Sequence, residues 1–185
     1  IAIVKLLYSY GVHNMVMCDS RGAIYEGRTY GMNDTKEYVA KWTNRDKTDG
    51  KLEDVIEDAD VFIGVSGPKA LSSAQIATMN DNPIIFALAN PVPEIYPEDA
   101  RAAGATVIGT GRSDYPNQIN NLLAFPGIFK GILQAQKKDI TMAAKVAAAH
   151  AIAEVIAPSE LTADYVIPSA LNPNVVDAVA DAVAV

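Results

Sequence analysis

Three stretches of the chain, VFIGV (61–65), NPIIFALANP (82–91) and TVIGTG (106–111), are continuous apolar runs, closed in turn by Ser-Gly, Asn-Pro and Gly. A strand with one wet face alternates apolar and polar residues, so unbroken runs mark strands covered on both sides. Between them lie LSSAQIATM (71–79), patterned as a capped helix, and PEDARAAG (97–104), a helix with Pro at its start and Gly104 at its stop. Strands that alternate with helices in this way predict an α/β fold: a doubly wound, Rossmann-like, mainly parallel sheet with helices on both faces.

The flanking segments fit that plan. IAIVKLLYSYG (1–11) carries apolar residues at helical spacing and a Gly stop, and VHNMVMCD (12–19) reads as a short apolar strand ending in Asp19. SRGAIYEGR (20–28) reads as a loop or small hairpin, 35–50 as a helix fading into a loop, and LEDVIEDAD (52–60) as a helical piece. An alanine-rich helix is expected over roughly 140–156 and a last one near 174–185. The chain opens without Met and already in helical register, so it is expected to start inside a helix whose preceding segment lies upstream. Its 185 residues suit one sizeable core.

Composition narrows the partners. A formal net charge of −7 works against nucleic acid, whose affinity depends on Lys and Arg neutralising phosphates. No apolar run approaches the roughly 18 residues of a membrane span, so no membrane role is expected. The single cysteine, Cys18, permits no internal disulfide and suits a reducing cytoplasm.

In open parallel sheets ligands bind beyond the carboxyl ends of the strands. The residues there are Asp19, Ser66-Gly67, Asn90-Pro91 and the run from Gly109 to Asn121. An acid closing the second strand of a dinucleotide-binding unit accepts hydrogen bonds from a ribose, but Asp after a strand is also a common turn former. Ser66-Gly67-Pro68 fits a strand-to-helix connection as well as a cofactor contact. The amide of Asn90 offers donor and acceptor together, which suits a nicotinamide carboxamide or a substrate hydroxyl. His13 and His150 have no second ligand at metal spacing and read as structural, Cys18 as buried and inert, and Trp42 as packed on a helix face. The acid pairs Glu53-Asp54 and Glu57-Asp58 read as a solvated helix face. Uncharged hydrogen-bonding side chains crowd into GTGRSDYPNQINNLLAFPG (109–127), with three asparagines and a glutamine beside an apolar run.

Taken together, CDSRGAIYEGR (18–28), FIGVSGP (62–68), IIFALANPVPEI (84–95) and TGRSDYPNQINNLLAFPGIFKG (110–131) resemble the NAD(P)-binding domain of malic enzyme, in its small bacterial form, across essentially all of residues 1–185. The resemblance implies oxidative decarboxylation of (S)-malate to pyruvate and CO2 with reduction of NAD or NADP, assisted by Mg or Mn, in a cytoplasmic homodimer. It implies that Asp19 binds the ribose and that Arg28 lies beside the adenosine half. Ser66, Gly67, Asn90 and Asn120 would then line the cofactor, and Asn90 and Asn121 would reach the malate. In the family the general acid tyrosine, the base lysine, the metal-binding acids and the glycine-rich loop all precede what corresponds to Ile1. No catalytic or metal-ligating residue is therefore expected in this chain, which alone should be inactive. Two other readings share the motifs: a malolactic enzyme, which releases lactate from malate, and a non-catalytic nucleotide-binding module. Asp19 favours NAD by repelling a 2′-phosphate, whereas Arg21 and Arg28 could pair with one and favour NADP.

Overall fold

The computed structural model describes residues 1–184. Its contacts divide the chain into two compact units, Ile1–Glu57 and the stretch from Asp58 onward.

In the first unit, α1 (Ala2–Tyr10) stops at Gly11, whose φ of 107° is the left-handed conformation that glycine adopts without a Cβ penalty. β1 (Met17–Asp19) pairs antiparallel with β2 (Gly22–Ile24), and Asp19 faces Gly22 across a turn made by Ser20 and Arg21. The segment 20–28, read as a loop or small hairpin, supplies the turn and second strand of a hairpin whose first strand is β1, and the strand expected over 12–19 shrinks to three residues. Val12 and Val16 remain exposed and lie outside the ladder. α2 (Asp34–Ala40) is capped by the Asn33 side chain, which accepts from the Lys36 N–H, and α3 (Leu52–Val55) follows. Tyr8 packs against His13 at 4.7 Å and Trp42 at 4.6 Å between ring centroids, which gives both residues the structural role expected of them.

The second unit carries the parallel sheet. β3 (Val61–Gly64), β4 (Ile84–Ala87) and β5 (Val107–Thr110) lie in that order, all parallel. Val61, Ile84 and Val107 are in register at one end; Gly64, Ala87 and Thr110 are in register at the other. The loops after the three strands therefore leave the sheet on the same edge. α4 (Ser73–Ile76) joins β3 to β4, with Ser72 and Gln75 capping each other's backbone, and α5 (Pro97–Ala102) joins β4 to β5. Ile76, Ile85, Ala87, Ala100 and Ile108 are buried.

A 3-10 turn over Asn121–Leu123 leads into α6 (Phe125–Gln134), followed by α7 (Met142–Glu154) and α8 (Pro173–Ala184). Leu123, Ile128, Ile132, Ala148, Val175 and Val179 belong to the core of this layer. Gly131 sets the closeness of α6 to α8, because a Cβ there would run into the Ala180 carbonyl. Among the described residues no helix is long and apolar enough to cross a membrane.

Candidate functional site

The parallel sheet ends in a cluster of small and uncharged polar residues. After β3 comes Ser66, exposed, then Gly67, where a Cβ would meet nothing within 4 Å. After β4 comes Asn90, exposed, with a cis bond to Pro91. The Asn90 amide makes no hydrogen bond to any described residue, so its donor and acceptor both stay open to a ligand.

The asparagines that follow β5 have separate tasks. Asn117 is 4% exposed and sits at φ 51°, a left-handed conformation that asparagine tolerates. Its Nδ2 donates to the Ile108 carbonyl at 3.0 Å and to the Ala163 carbonyl at 2.8 Å, and its Oδ1 accepts the Val166 N–H at 2.8 Å. It is a staple between β5 and the 163–166 segment. Asn120 caps the 3-10 turn, its Oδ1 accepting the Leu122 N–H at 2.9 Å. Asn121 is exposed, and its side chain has no partner among the described residues. Of the expected pair, one amide oxygen is committed to the backbone and the other residue is free.

Two residues that the sequence pattern does not single out hold this edge together. The Glu94 side chain is fully buried and reaches both preceding loops: Oε1 accepts the Ser66 N–H at 2.8 Å, and Oε2 accepts the Ala89 N–H at 3.0 Å. Arg112 donates Nε and Nη2 to the carboxylate of Asp114 at 2.9 and 2.6 Å, and Nη1 to the Pro91 carbonyl at 3.3 Å. A sequence signal for Glu94 exists in Gly64, a glycine inside an apolar strand, which marks a close approach by another group. Thr110, at the end of β5, is fully buried, and its hydroxyl has no partner among the described residues.

Asp19, in the first unit, closes β1 as the sequence suggests, but its carboxylate is already engaged. Oδ1 accepts the Arg21 backbone N–H at 2.8 Å and Arg28 Nη2 at 2.9 Å, and Oδ2 accepts Lys36 Nζ at 2.6 Å. Desolvation pushes its pKa up, but the hydrogen bonds from Lys36, Arg28 and the Arg21 backbone, with the charge of Arg28, outweigh it and hold the pKa at about 2. The turn-forming role and the charged surroundings thus coexist. All three guanidinium nitrogens of Arg28 bond inside the chain, to the carbonyls of Gly22, Ala23 and Tyr30 and to the carboxylate of Asp19. Lys36 is a third member of the cluster, absent from the sequence reading. Burial, then the neighbouring Asp19, push the Cys18 thiol up to about 11 against the pull of Arg28, so it is an unreactive thiol at neutral pH.

The sequence model of the family described as "Malic enzyme, NAD binding domain" matches residues 9–185. The chain is 61% identical over 184 residues to a bifunctional malic/malolactic enzyme of Bacillus subtilis, covering 100% of the chain and 45% of that protein. It is 49% identical over 183 residues to an NAD-dependent malic enzyme of Geobacillus stearothermophilus, covering 99% of the chain and 38% of that protein. The fold superposes with a TM-score of 0.93, at 44% identity, on a crystal structure of NAD-dependent malic enzyme from Thermotoga maritima, covering 98% of the chain and 48% of that one. The chain thus spans less than half the length of each of these relatives.

Proposed function

Because the chain belongs to the family of malic enzyme NAD-binding domains, we propose that residues 1–185 are the cofactor-binding part of an NAD- or NADP-dependent enzyme that oxidatively decarboxylates (S)-malate to pyruvate and CO2. The reading is supported by the in-register carboxyl end of three parallel strands, with the unpaired amide of Asn90 in the loop after β4 and that of Asn121 in the segment that follows β5. That donor set fits a nicotinamide and a dicarboxylate: uncharged amides match a carboxamide and a hydroxyl without adding charge where hydride leaves the substrate.

A nicotinamide cofactor held by Ser66, Gly67, Asn90 and Asn120 would supply the acceptor for the hydride that leaves the malate carbinol carbon. This chain's residues bind and orient. Asn90 aligns the carboxamide or the substrate hydroxyl, Asn121 donates to a malate carboxylate, and Asn120, whose Nδ2 is uncommitted, contacts the nicotinamide side. Ser66 and Gly67 give the cofactor a small, open surface. Asp19 accepts from the ribose, and its lowered pKa keeps it an acceptor at every physiological pH.

Among the described residues no group of three His, Cys, Asp or Glu could hold a metal ion, so no Mg or Mn step is derived from this chain. Proton transfer and metal binding belong, in this proposal, to residues outside it, as does assembly into a cytoplasmic homodimer. A second reading is favoured by one observation: the 61% identical relative is bifunctional, so the same site could also release lactate. The full-length protein, given malate, Mn and each dinucleotide in turn, should form pyruvate and reduced cofactor in equal amounts. Lactate without accumulation of reduced cofactor would identify the malolactic route, and no malate turnover with either cofactor would refute both.

A further inference from the structure

We infer that Glu94 is a positioning residue of this site: its buried carboxylate ties the turn after β3 to the turn after β4 and so fixes where Asn90 presents its amide. The inference rests on the function proposed above, because Asn90 is what is being positioned.

The geometry is specific. Glu94 lies four residues beyond Asn90 and turns back under the sheet edge, fully buried. Oε1 takes the Ser66 N–H at 2.8 Å and the Ser66 hydroxyl at 3.3 Å, while Oε2 takes the Ala89 N–H at 3.0 Å, one residue before Asn90. Its own backbone is held as well, since the Leu71 N–H donates to the Glu94 carbonyl at 3.2 Å and the Lys69 N–H to the Pro93 carbonyl at 3.2 Å. Room for the side chain comes from Gly64: a Cβ there would lie 2.6 Å from Glu94 Cδ and 2.8 Å from Oε1.

Packing alone does not call for this residue. Burying a carboxylate is costly, and a well-packed apolar side chain of similar volume is often at least as stabilising. What an apolar group cannot do is offer two acceptors at fixed spacing to two N–H groups on different loops. The arrangement serves the relative placement of Ser66 and Asn90, the two loop residues on either side of it.

Glutamine breaks the clamp with little change of shape, since its amide oxygen can satisfy only one of the two N–H groups while its NH2 faces the other. In the full-length protein, Glu94→Gln should lower kcat/KM for malate roughly tenfold to a hundredfold, chiefly through kcat. Asn90→Ala should do likewise. The double variant should fall no more than about twofold below the worse single one, because the second substitution removes a placement already lost. Gly64→Ala keeps the carboxylate but displaces it, and should reproduce the kinetic pattern of Glu94→Gln, which covers the case in which the glutamine variant does not fold. Losses that multiply in the double variant would overturn the inference, as would a Glu94→Gln protein with a lower melting temperature and normal malate kinetics. Either outcome with an active wild type sinks Glu94 alone; a wild type that does not turn over malate sinks the proposed function and this inference with it.

Discussion

Replacing Asp19 by Asn should loosen the β1–β2 hairpin in a pH-dependent way. In the native structure the carboxylate meets Arg28 at 2.9 Å and Lys36 at 2.6 Å, and the Arg28 side chain is completely buried. The Asp19 pKa falls from 3.8 to about 2, so folding favours the charged form by just under two units, or about 2 kcal/mol at neutral pH. Because the folded pKa is the lower one, this stabilisation is fully present above the unfolded pKa and is lost as pH falls through the folded one. About half should be gone near pH 3. An Asn at position 19 keeps one acceptor oxygen but turns an NH2 toward Lys36 or Arg28 in place of the other, and it leaves the guanidinium of Arg28 buried without its counter-charge, which adds to the loss. Native-state hydrogen exchange of the Ala23 amide, bonded to the Gly50 carbonyl at 2.8 Å, reads the local stability directly. Wild type and Asp19→Asn should differ by about 2 kcal/mol or more near pH 7 and by clearly less near pH 3. A gap below about 0.5 kcal/mol at neutral pH, or one unchanged by acid, would refute the ion-pair reasoning.

Asn117→Ala should lower stability by about 2–4 kcal/mol, since three hydrogen bonds vanish and buried backbone groups lose their partner; a denaturant midpoint equal to wild type would contradict this. Asp19→Ser in the full-length enzyme should shift cofactor preference toward NADP by roughly tenfold to a hundredfold, by removing a negative charge and releasing Lys36 Nζ from it. Arg28 should take little part in that shift, its side chain being fully buried and bonded within the chain, and an unchanged ratio of NAD to NADP use would confine Asp19 to its turn.

The parallel sheet was legible because a strand buried on both faces needs no alternation, and VFIGV, IIFALA and TVIGT show none. Helix stops and caps were legible because they act locally: Gly11, Ser72 and Pro97 act on their own turns. The strand read over 12–19 was overextended because apolar content says nothing about whether a ladder partner exists, and only Met17–Asp19 find one. The structural role of Arg28 was illegible, since three of its partners are carbonyl oxygens that no side-chain pattern reveals. Glu94 was only half legible for a related reason: Gly64 marks a close approach but not the group that makes it. Its contact with Ser66 spans 28 residues, and it exists only once β3 and β4 lie side by side. Asn117, Asn120 and Asn121 stand too close in sequence for local pattern to tell their tasks apart; folding makes them a staple, a cap and a free amide.

That division makes Asn121→Ala the sharpest test of the site. Its side chain is exposed and bonds no described residue, so removing it should leave the melting temperature of the full-length protein unchanged. If it donates to a malate carboxylate, the lost charge-assisted hydrogen bond is worth about 1.5–3 kcal/mol, a fall in kcat/KM for malate of roughly tenfold to more than a hundredfold. Thermal unfolding and malate kinetics measured on the same sample separate the two roles. An unchanged melting temperature with crippled malate use is the expected result, and a destabilised protein with normal malate kinetics would contradict the assignment of this edge as the substrate site.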